Sequence, residues 1–430
     1  MPELLAQIYG NLRANRLRSF LTMFGIAWGV ISVVVLQATG EGFQRGNQHV
    51  LEELGKNVGI VWGGRTSMQA GGERAGRQIR LTIADVRAIE QNSPLVAAAS
   101  AEIERRIMVK SRRNSASLGV HGIEPQYQAI RTIDIERGRS FRGDDEQAAR
   151  RVAIIGADAT AQLFGQEDSL GQRVYLNRLP YTVIGRIRKK EQDSSYAGPD
   201  NELVFVPLSA MSRDFPRVDA EPGVISNLIL SPRPEVVASL PATLESRTGR
   251  IEDIDWPLER DVRRVLSARH RFDPADRNAI AMWDTTLQTL MFGRMIEHMN
   301  WFFALVSVVT LALGGLGVMN IMLVAVRERT REIGLRKAMG ATTAQVQRQF
   351  FLEGFLLTMF SGTIGLVLAA VLCLLVNQLP MPTRFQGMVI TWTAGAAAVG
   401  LLVAVGILTS TYPARRAALM PPVEALRFES

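Results

Sequence analysis

The sequence predicts a membrane protein with four transmembrane α-helices and a large α+β extracytoplasmic domain, in two subdomains, between helices 1 and 2. Four runs contain no Asp, Glu, Lys or Arg: residues 19–40, 299–326, 354–383 and 385–414. Each run is longer than the roughly 18 apolar residues that indicate a membrane-spanning helix. Between residues 41 and 298 no charge-free run exceeds 11 residues, so this segment is expected to be water-soluble.

The distribution of basic residues predicts the orientation of the four helices. Twelve Lys or Arg lie in the N-terminal segment, the loop after the second run and the C-terminal tail, whereas the loop between the last two runs contains only Arg384. Short cytoplasmic loops are enriched in Lys and Arg. Both termini are therefore expected in the cytoplasm, with the soluble segment on the other side of the membrane.

These observations give the predicted order of segments. The segments are a cytoplasmic amphipathic N-terminal helix (1–18), transmembrane helix 1 (19–40), the soluble domain (41–298), helix 2 (299–326), a cytoplasmic loop (327–353), helix 3 (354–378), a short outer loop (379–388), helix 4 (389–412) and a cytoplasmic tail (413–430). Residues 1–18 could instead be a solvated lead-in. The first run could be a cleaved signal sequence, but its length and the G-x-x-x-G pattern of Gly25 and Gly29, which suits helix packing, favour a retained helix.

Short strand-like and helix-like stretches alternate in the soluble segment, which indicates a mixed α+β class. Thr82, followed by Asp85 three residues later, is typical of a helix N-terminus. Polar turns at residues 112–115 and 177–180 predict two β-hairpins, and residues 152–164 predict a strand followed by a helix. The predicted strands are 58–61, 78–81, 103–109, 117–120, 152–155, 173–176, 181–187, 204–206 and 226–230.

Charge and motifs argue against several classes of function. The net charge is +8, yet residues 41–298 contain 36 basic and 35 acidic residues, so no nucleic-acid partner is predicted. The four histidines are scattered and form no metal-binding motif. No G-x-x-x-x-G-K-[ST] phosphate-binding motif occurs. The chain is therefore predicted not to be an enzyme and to hold no cofactor or metal, so any ATP hydrolysis must occur on a separate subunit.

The cytoplasmic loop is a charged helix, a break and a second helix that runs into the membrane. Gly340 can end the first helix, and Thr342 with Gln345 is a capping-box pattern for the second. For an arbitrary membrane protein, a solvated turn with basic anchors would explain these residues.

The residues themselves, however, resemble a family. The stretch RTREIGLRKAMGAT (329–342) is similar to the hallmark loop of MacB-type and FtsX-like ABC transporter permeases, and YPARRAA (412–418) resembles their C-terminus. The first span and residues 138–185 are similar to the family's first helix and periplasmic core. Because no fused ATPase segment is found, the chain resembles the stand-alone permeases of the family.

The resemblance implies a bacterial inner-membrane protein that pairs with a second permease copy and with an ABC ATPase subunit, which would hold ATP and Mg²⁺. Five residues of the loop would couple to that ATPase: Arg331, Glu332, Gly334, Arg336 and Gly340. The implied function is export of a small molecule or peptide, driven by mechanical transmission, with a periplasmic adaptor and an outer-membrane channel. Lipoprotein release of the Lol type and FtsX-like regulation of a cell-wall hydrolase are the alternatives; a membrane-anchored enzyme has only scattered polar residues in its favour.

Overall fold

A computed structural model describes the chain in two compact units. The described residues are 16–55, 57–192, 196–216, 221–238 and 256–422. One unit, here called the membrane domain, comprises the chain up to Gly46 and from Gly293 onward, and the other, the outer domain, is Asn47–Phe292. The predicted N-terminal helix, apart from its last three residues, and the end of the tail lie outside the described residues.

Twelve helices and ten strands are described. The helices are α1 (Arg16–Leu54), α2 (Ile83–Asn92), α3 (Pro125–Ile130), α4 (Gly143–Gln147), α5 (Ala157–Phe164), α6 (Leu208–Asp214), α7 (Pro234–Ala238), α8 (Pro257–His270), α9 (Thr285–Glu328), α10 (Thr330–Ala338), α11 (Thr343–Val376) and α12 (Trp392–Ala418). The strands are β1 (Gly59–Gly63), β2 (Val96–Lys110), β3 (Ser115–Ile123), β4 (Ile135–Gly138), β5 (Val152–Ile155), β6 (Arg173–Leu176), β7 (Leu179–Ile187), β8 (Val204–Pro207), β9 (Asn227–Pro232) and β10 (Ile280–Asp284).

Four helices, α1, α9, α11 and α12, are long and apolar enough to cross a membrane. At 39 and 44 residues, α1 and α9 extend about 58 and 66 Å, roughly twice the apolar thickness of a bilayer. Both helices therefore continue past the predicted domain boundaries at 41 and 298. The charge-free runs mark the apolar part of each helix, whereas the helix itself continues through the more polar residues 41–54.

The last span also differs from its predicted limits. Helix α12 begins at Trp392 rather than 389, because Thr391 accepts a hydrogen bond from the Ala394 amide at 3.2 Å and caps the helix. It continues to Ala418, with Pro413 inside the helix. The loop between α11 and α12 is correspondingly 377–391, and its Val389 amide donates to the Ala38 carbonyl at 3.2 Å.

Helices α1 and α9 approach closely at small residues. A β-carbon at Gly25 would lie 3.3 Å from the Cα of Gly314, and one at Gly29 would lie 3.0 Å from the Cα of Leu311. A larger side chain at either position would therefore meet backbone, which cannot move aside as a flexible side chain can. Gly25 and Gly29 thus lie at a helix crossing, as expected of small residues that let two backbones approach.

The outer domain is built on one ten-stranded sheet. Its strand order is β10-β1-β9-β2-β3-β8-β5-β7-β4, and β6 pairs with both β2 and β7. Because β6 joins these two strands, β2, β3, β8, β5, β7 and β6 form a closed six-stranded ring of pairings. Strand β4 adds to the ring at β7, and β10, β1 and β9 form an open sheet that shares β2, whose 15 residues are long enough to serve both parts.

The two predicted subdomains are two parts of one sheet. The ring and the open sheet correspond to two parts of the domain, but the shared strand β2 makes them one compact unit with no linker between them. The helices α2 and α8 cover the open part, with Val86, Ile89, Val262 and Leu266 in the main hydrophobic cluster. A long strand can belong to two sub-structures, which periodicity along the sequence does not reveal.

Most of the predicted strands and turns are confirmed. Thr82 and Asp85 form a capping box at α2, and the predicted hairpin becomes β2 and β3, with Lys110 opposite Ser115. The predicted strand at 78–81 is wrong: within the described part of the chain only Gln78 forms a bridge, to Arg65. The rest of the segment makes isolated backbone hydrogen bonds, which do not amount to the continuous pairing of a β-strand.

Substituting Gly29 tests the α1–α9 crossing. Gly29→Leu is expected to destabilise the membrane domain by about 1–3 kcal/mol, because the side chain overpacks against the Leu311 backbone. The measurement is thermal unfolding of the detergent-solubilised chain. Gly400→Leu is the matched control, since a β-carbon there meets nothing within 4 Å. Equal stability of the two variants would show that the crossing is not tightly packed.

A buried carboxylate in the sheet makes the outer domain sensitive to acid. Glu102 accepts hydrogen bonds from Tyr127, Tyr196 and Asn227 at 2.5–2.7 Å and lies 2.7 Å from the His121 Nδ1. Burial opposes ionisation, but the charge of His121 and these hydrogen bonds hold the pKa of Glu102 at about 2, below its ordinary 4.5. The folded state therefore binds the proton more weakly than the unfolded state does.

The resulting stabilisation is full above pH 4.5 and is lost as the pH falls toward 2. Denaturant unfolding at several pH values, followed by tryptophan fluorescence, should show this slope in the wild-type chain. The slope should be smaller in Glu102→Gln, whose amide does not titrate. Parallel pH dependences of the two proteins would contradict the assignment.

Candidate functional site

The short helix α10 is separated from the long helix α9 by a one-residue break at Arg329. The chain hardly leaves the helical path there, because the Arg329 amide still donates to the Ala325 carbonyl at 3.1 Å. The Thr330 hydroxyl donates to the carbonyls of Val326 and Arg327 at 3.2 and 2.8 Å. Such back-bonding by threonine bends helices. The break at Arg329 is thus bridged by backbone and side-chain hydrogen bonds.

One face of α10 is buried in the membrane domain. Ile333 is 3% exposed and belongs to a cluster with Val346 and Phe350 of α11 and Ala417 of α12. Gly334 is also buried, and its lack of a side chain fits this contact side of the helix. Through these contacts α10 is packed on two of the membrane-spanning helices.

Polar contacts hold the other edges of α10. The Arg336 guanidinium donates to Glu332 at 2.6 Å and to Gln349 of α11 at 2.8 Å. The Lys337 ammonium donates to the carbonyls of Ala418 and Met420 at 2.6 and 2.8 Å. A cation at these carbonyls satisfies the end of α12 and complements its dipole.

The turn between α10 and α11 is set by Gly340 and Thr342. Gly340 has φ +101°, which L-residues rarely adopt, and a β-carbon there would meet nothing within 4 Å. Backbone conformation, and not space, therefore requires glycine at this position. Thr342 and Gln345 form the predicted capping box at the start of α11, with hydrogen bonds of 2.9 and 3.3 Å.

The opposite face of α10 is exposed and partly apolar. Leu335 is 52% and Met339 74% exposed, four residues apart on the helix, and the exposed side chains of Arg331 and Glu332 lie beside them in sequence. The sequence analysis did not single out Leu335 or Met339. Their signal was available: two apolar residues at helical spacing in an otherwise charged loop. We call Arg331, Glu332, Leu335 and Met339 the α10 surface.

The outer end of α1 is capped by a buried lysine. The Lys190 ammonium donates to the Glu53 carbonyl in the last turn of α1 at 3.0 Å, to the Arg131 carbonyl at 3.1 Å and to Asp200 at 2.9 Å. Arg131 also donates to Asp200 at 2.8 Å, and all three ionisable side chains are at most 3% exposed. The end of α1 is thus joined to a buried ion-pair cluster.

Burial and pairing act in opposite directions in this cluster. Burial lowers the pKa of Lys190, and the Asp200 carboxylate opposes that shift. Burial would raise the pKa of Asp200, but the charges of Arg131 and Lys190 hold it below its ordinary value. Asp200 is therefore ionised at neutral pH, and the cluster keeps a negative charge between its two cations.

The outer end of α9 is capped by a buried carboxylate. Asp284 accepts hydrogen bonds from the Thr286 and Leu287 amides at 2.7 and 3.3 Å and from the Trp256 indole at 2.8 Å. Burial raises the pKa of Asp284, and these donors oppose that shift. Thr285 adds three hydrogen bonds with the backbone of Val58, just before β1. The start of α9 is therefore continuous with strand β10 and fixed to the sheet.

The five predicted coupling residues all lie on α10 or at its end, whereas Gly25 and Gly29 lie apart from it at the α1–α9 crossing. Arg331 and Glu332 are exposed, Gly334 is buried, Arg336 is half-buried and Gly340 forms the turn. The sequence analysis missed Lys337, Lys190 and Asp284. Only Asp284 had a local signal, since an Asp followed by Thr and an apolar run is typical of a helix N-terminus.

Four spanning helices with an α/β domain between the first two define a class, the multi-pass membrane proteins with one large extracytoplasmic domain. In sequence, residues 19–243 match the protein family of the MacB-like periplasmic core domain. Residues 304–422 match the family of the FtsX-like permease C-terminal region. The chain belongs to this family of MacB-like and FtsX-like ABC transporter permeases. Its outer domain is accordingly a periplasmic domain.

Relatives match along the whole chain. It is 29% identical over 439 residues to the macrolide export ATP-binding/permease protein MacB of Bdellovibrio bacteriovorus, covering 100% of this chain and 62% of that protein. It is 31% identical over 433 residues to the pyoverdine export ATP-binding/permease protein PvdT of Pseudomonas entomophila, covering 100% and 60%. The chain thus spans about three fifths of the length of these relatives.

A solved structure, the periplasmic region of MacB from Actinobacillus actinomycetemcomitans, matches with a TM-score of 0.40 and 17% identity. The match covers 57% of this chain and 95% of that chain.

Removing the Lys190 ammonium should loosen the end of α1. Lys190→Met is expected to lower the free energy of unfolding of the outer domain by about 3 kcal/mol, because two carbonyls and one carboxylate lose a buried donor. The measurement is denaturant unfolding of the full chain in detergent, followed by the fluorescence of the tryptophans in the outer domain.

The neighbouring Lys189 provides the control. Its side chain is 73% exposed and pairs with Asp158 at 3.5 Å, so Lys189→Met should change stability by less than about 0.5 kcal/mol. In a double-mutant cycle with Asp200→Asn, the loss should be clearly less than additive. Additive losses would show that Lys190 and Asp200 do not act as a unit.

Proposed function

We propose that this chain is the permease of an ABC exporter that transmits ATP-driven motion from a cytoplasmic ATPase to its periplasmic domain. One observation carries the proposal: α9 is an unbroken helix of 44 residues that starts at the capped junction with β10 and ends one residue before α10. A helix with intact hydrogen bonds is stiff along its axis. A displacement of α10 would therefore be passed on to the sheet.

The α10 surface is the proposed contact with the ATPase. Protein interfaces are centred on apolar side chains and surrounded by polar groups. Leu335 and Met339 would form such a centre, with Arg331 and Glu332 at its edge. ATP and Mg²⁺ would bind to an ATPase subunit outside these 430 residues, and both termini of this chain would lie on the same cytoplasmic side.

The spans themselves support mechanical transmission over transport through the helices. None of the four charge-free runs contains an ionisable residue that could bind a coupling ion at bilayer depth. The cargo would therefore be engaged on the periplasmic side and passed on through an adaptor and an outer-membrane channel. Because the relatives described above are named for export of macrolide and pyoverdine, we propose a small molecule or peptide as cargo, and two permease copies in the complex.

Variants of the α10 surface test the proposed coupling. In a complex reconstituted with its ATPase subunit, Leu335→Asp and Glu332→Arg should each reduce permease-stimulated ATP turnover by about tenfold. A reduction of this size is expected when one favourable contact of the interface is lost. Thermal unfolding should hardly change, because Leu335 is exposed and the Glu332–Arg336 ion pair is exposed as well.

Arg348→Glu is the matched control, since Arg348 is an exposed cation of the same cytoplasmic region but lies on α11. It should leave ATP turnover unchanged. If all three variants stimulate the ATPase as the wild type does, the α10 surface is not the contact.

A further inference from the structure

A cleft of about 860 Å³ opens on the periplasmic domain at the seam where β6 pairs with β2. At this seam Lys110 lies opposite Tyr175 and Val109 opposite Leu176. Seven residues line the cleft: Met108, Lys110, Ser111, Arg112, Tyr175, Asn177 and Arg178. They come from the ends of two hairpins that are far apart in sequence.

Beyond Glu104, the last carboxylate of β2, the charge of these two hairpins is one-sided. Residues 105–123 and 173–187 contain eight Lys or Arg and no Asp or Glu, although the soluble part of the chain is nearly neutral. Of the carboxylates that the structure describes, none lies within ion-pair distance of Lys110, Arg112 or Arg178. By contrast, the nearby Arg113, outside the cleft, pairs with Glu167 at 3.3 Å. The cations that face the cleft are thus left available.

The centre of the cleft is apolar. Alternation along β2 and β6 turns Val109 and Leu176 into the core, where both are fully buried, and leaves Met108 51% and Tyr175 38% exposed. Methionine adapts its shape to different apolar partners, and tyrosine offers an aromatic face with a polar end. An exposed pair of this kind beside three cations suits a ligand with an apolar body and a negative charge.

The rim of the cleft is fixed before any ligand binds. The buried Ser111 hydroxyl donates to the Leu163 carbonyl at 2.6 Å and accepts from the Arg113 and Asn114 amides at 3.0 and 2.9 Å. The Asn177 amide donates to the Met108 carbonyl at 3.1 Å and so connects the second turn to β2. The backbone of both turns is therefore fixed, so that ligand binding would have to order only the side chains.

Arg178 occupies a backbone conformation that favours glycine. Asn177 and Arg178 have φ of +43° and +76°, as in the two-residue hairpin turns for which Asn-Gly is the preferred sequence. An arginine with positive φ is uncommon and strained. Stability alone would favour glycine here, so the local backbone gives no reason for an arginine at this position.

We propose that this cleft binds a small amphipathic anion, with an aromatic or branched apolar body against Met108 and Tyr175 and a carboxylate or phosphate among Lys110, Arg112 and Arg178. The cleft volume lies within the range of small-molecule sites, which favours a small ligand over a polypeptide. The proposal is independent of the ATPase coupling, since it concerns binding to the periplasmic domain alone.

The test uses 2-naphthoate as the anionic probe and 2-naphthylmethylammonium as its cationic match, with the full chain in lipid nanodiscs. Saturation-transfer NMR, corrected with empty nanodiscs, gives the dissociation constants. The anion should bind about tenfold more tightly than the cation, and Lys110→Gln should weaken anion binding about tenfold.

Arg178→Gly separates binding from folding. Its melting temperature should be equal to or higher than that of the wild type, because glycine relieves the positive φ, while its affinity for 2-naphthoate should fall by about tenfold. Arg233→Gln is the control: Arg233 is exposed next to the other end of β2, and its loss should leave binding unchanged.

Three outcomes would overturn the proposal. Equal affinities for the two probes would show that charge does not select the ligand. Unchanged affinity in Arg178→Gly and Lys110→Gln would place the binding elsewhere. An acidic decapeptide can be tested as a competitor of 2-naphthoate. If its dissociation constant were much lower than that of 2-naphthoate, the cleft would be a protein-docking site.

Discussion

The structure depends on the capping of two long helices, α1 and α9, whose outer ends lie inside a folded domain. A helix end exposes backbone groups without helical partners, and burying them unpaired is costly. Here a buried ammonium, Lys190, satisfies a carbonyl at the C-terminus of α1, and a buried carboxylate, Asp284, satisfies amides at the N-terminus of α9. Each charge has the sign that complements the helix dipole. Both helices can therefore stay intact up to the periplasmic sheet.

The same principle operates around α10, in the membrane domain. Lys337 of α10 donates to carbonyls at and just after the end of α12, and Thr342 caps α11. The short helix is thus fixed to its neighbours by its own side chains and by the buried Ile333. The proposed transmission of a motion between distant sites would require such an element to move as a body.

Local features of this fold were predictable and long-range ones were not. The charge-free runs, the capping boxes at Thr82 and Thr342 and the turn glycine Gly340 are properties of short segments, and the structure contains them. The cap of α1 joins Lys190 to a carbonyl 137 residues earlier, and the pairing of β6 with β2 depends on the folded sheet. No local pattern identifies such partners. The continuation of α1 beyond residue 40 was missed because a polar helix that extends from a membrane span resembles the start of a soluble domain.

The central claim is that a nucleotide-driven displacement at α10 reaches the periplasmic domain through helices with capped ends. The most direct measurement is the distance between two spin labels, one on each permease copy within the reconstituted complex. Each label is attached at Arg233→Cys in a chain whose native cysteine is removed by Cys373→Ala. Electron–electron double resonance would be recorded without nucleotide and with ATP trapped by vanadate. The account predicts a second, discrete distance population in the trapped complex, and its loss in Lys190→Met. The same distance distribution in both states of a complex that hydrolyses ATP would contradict it.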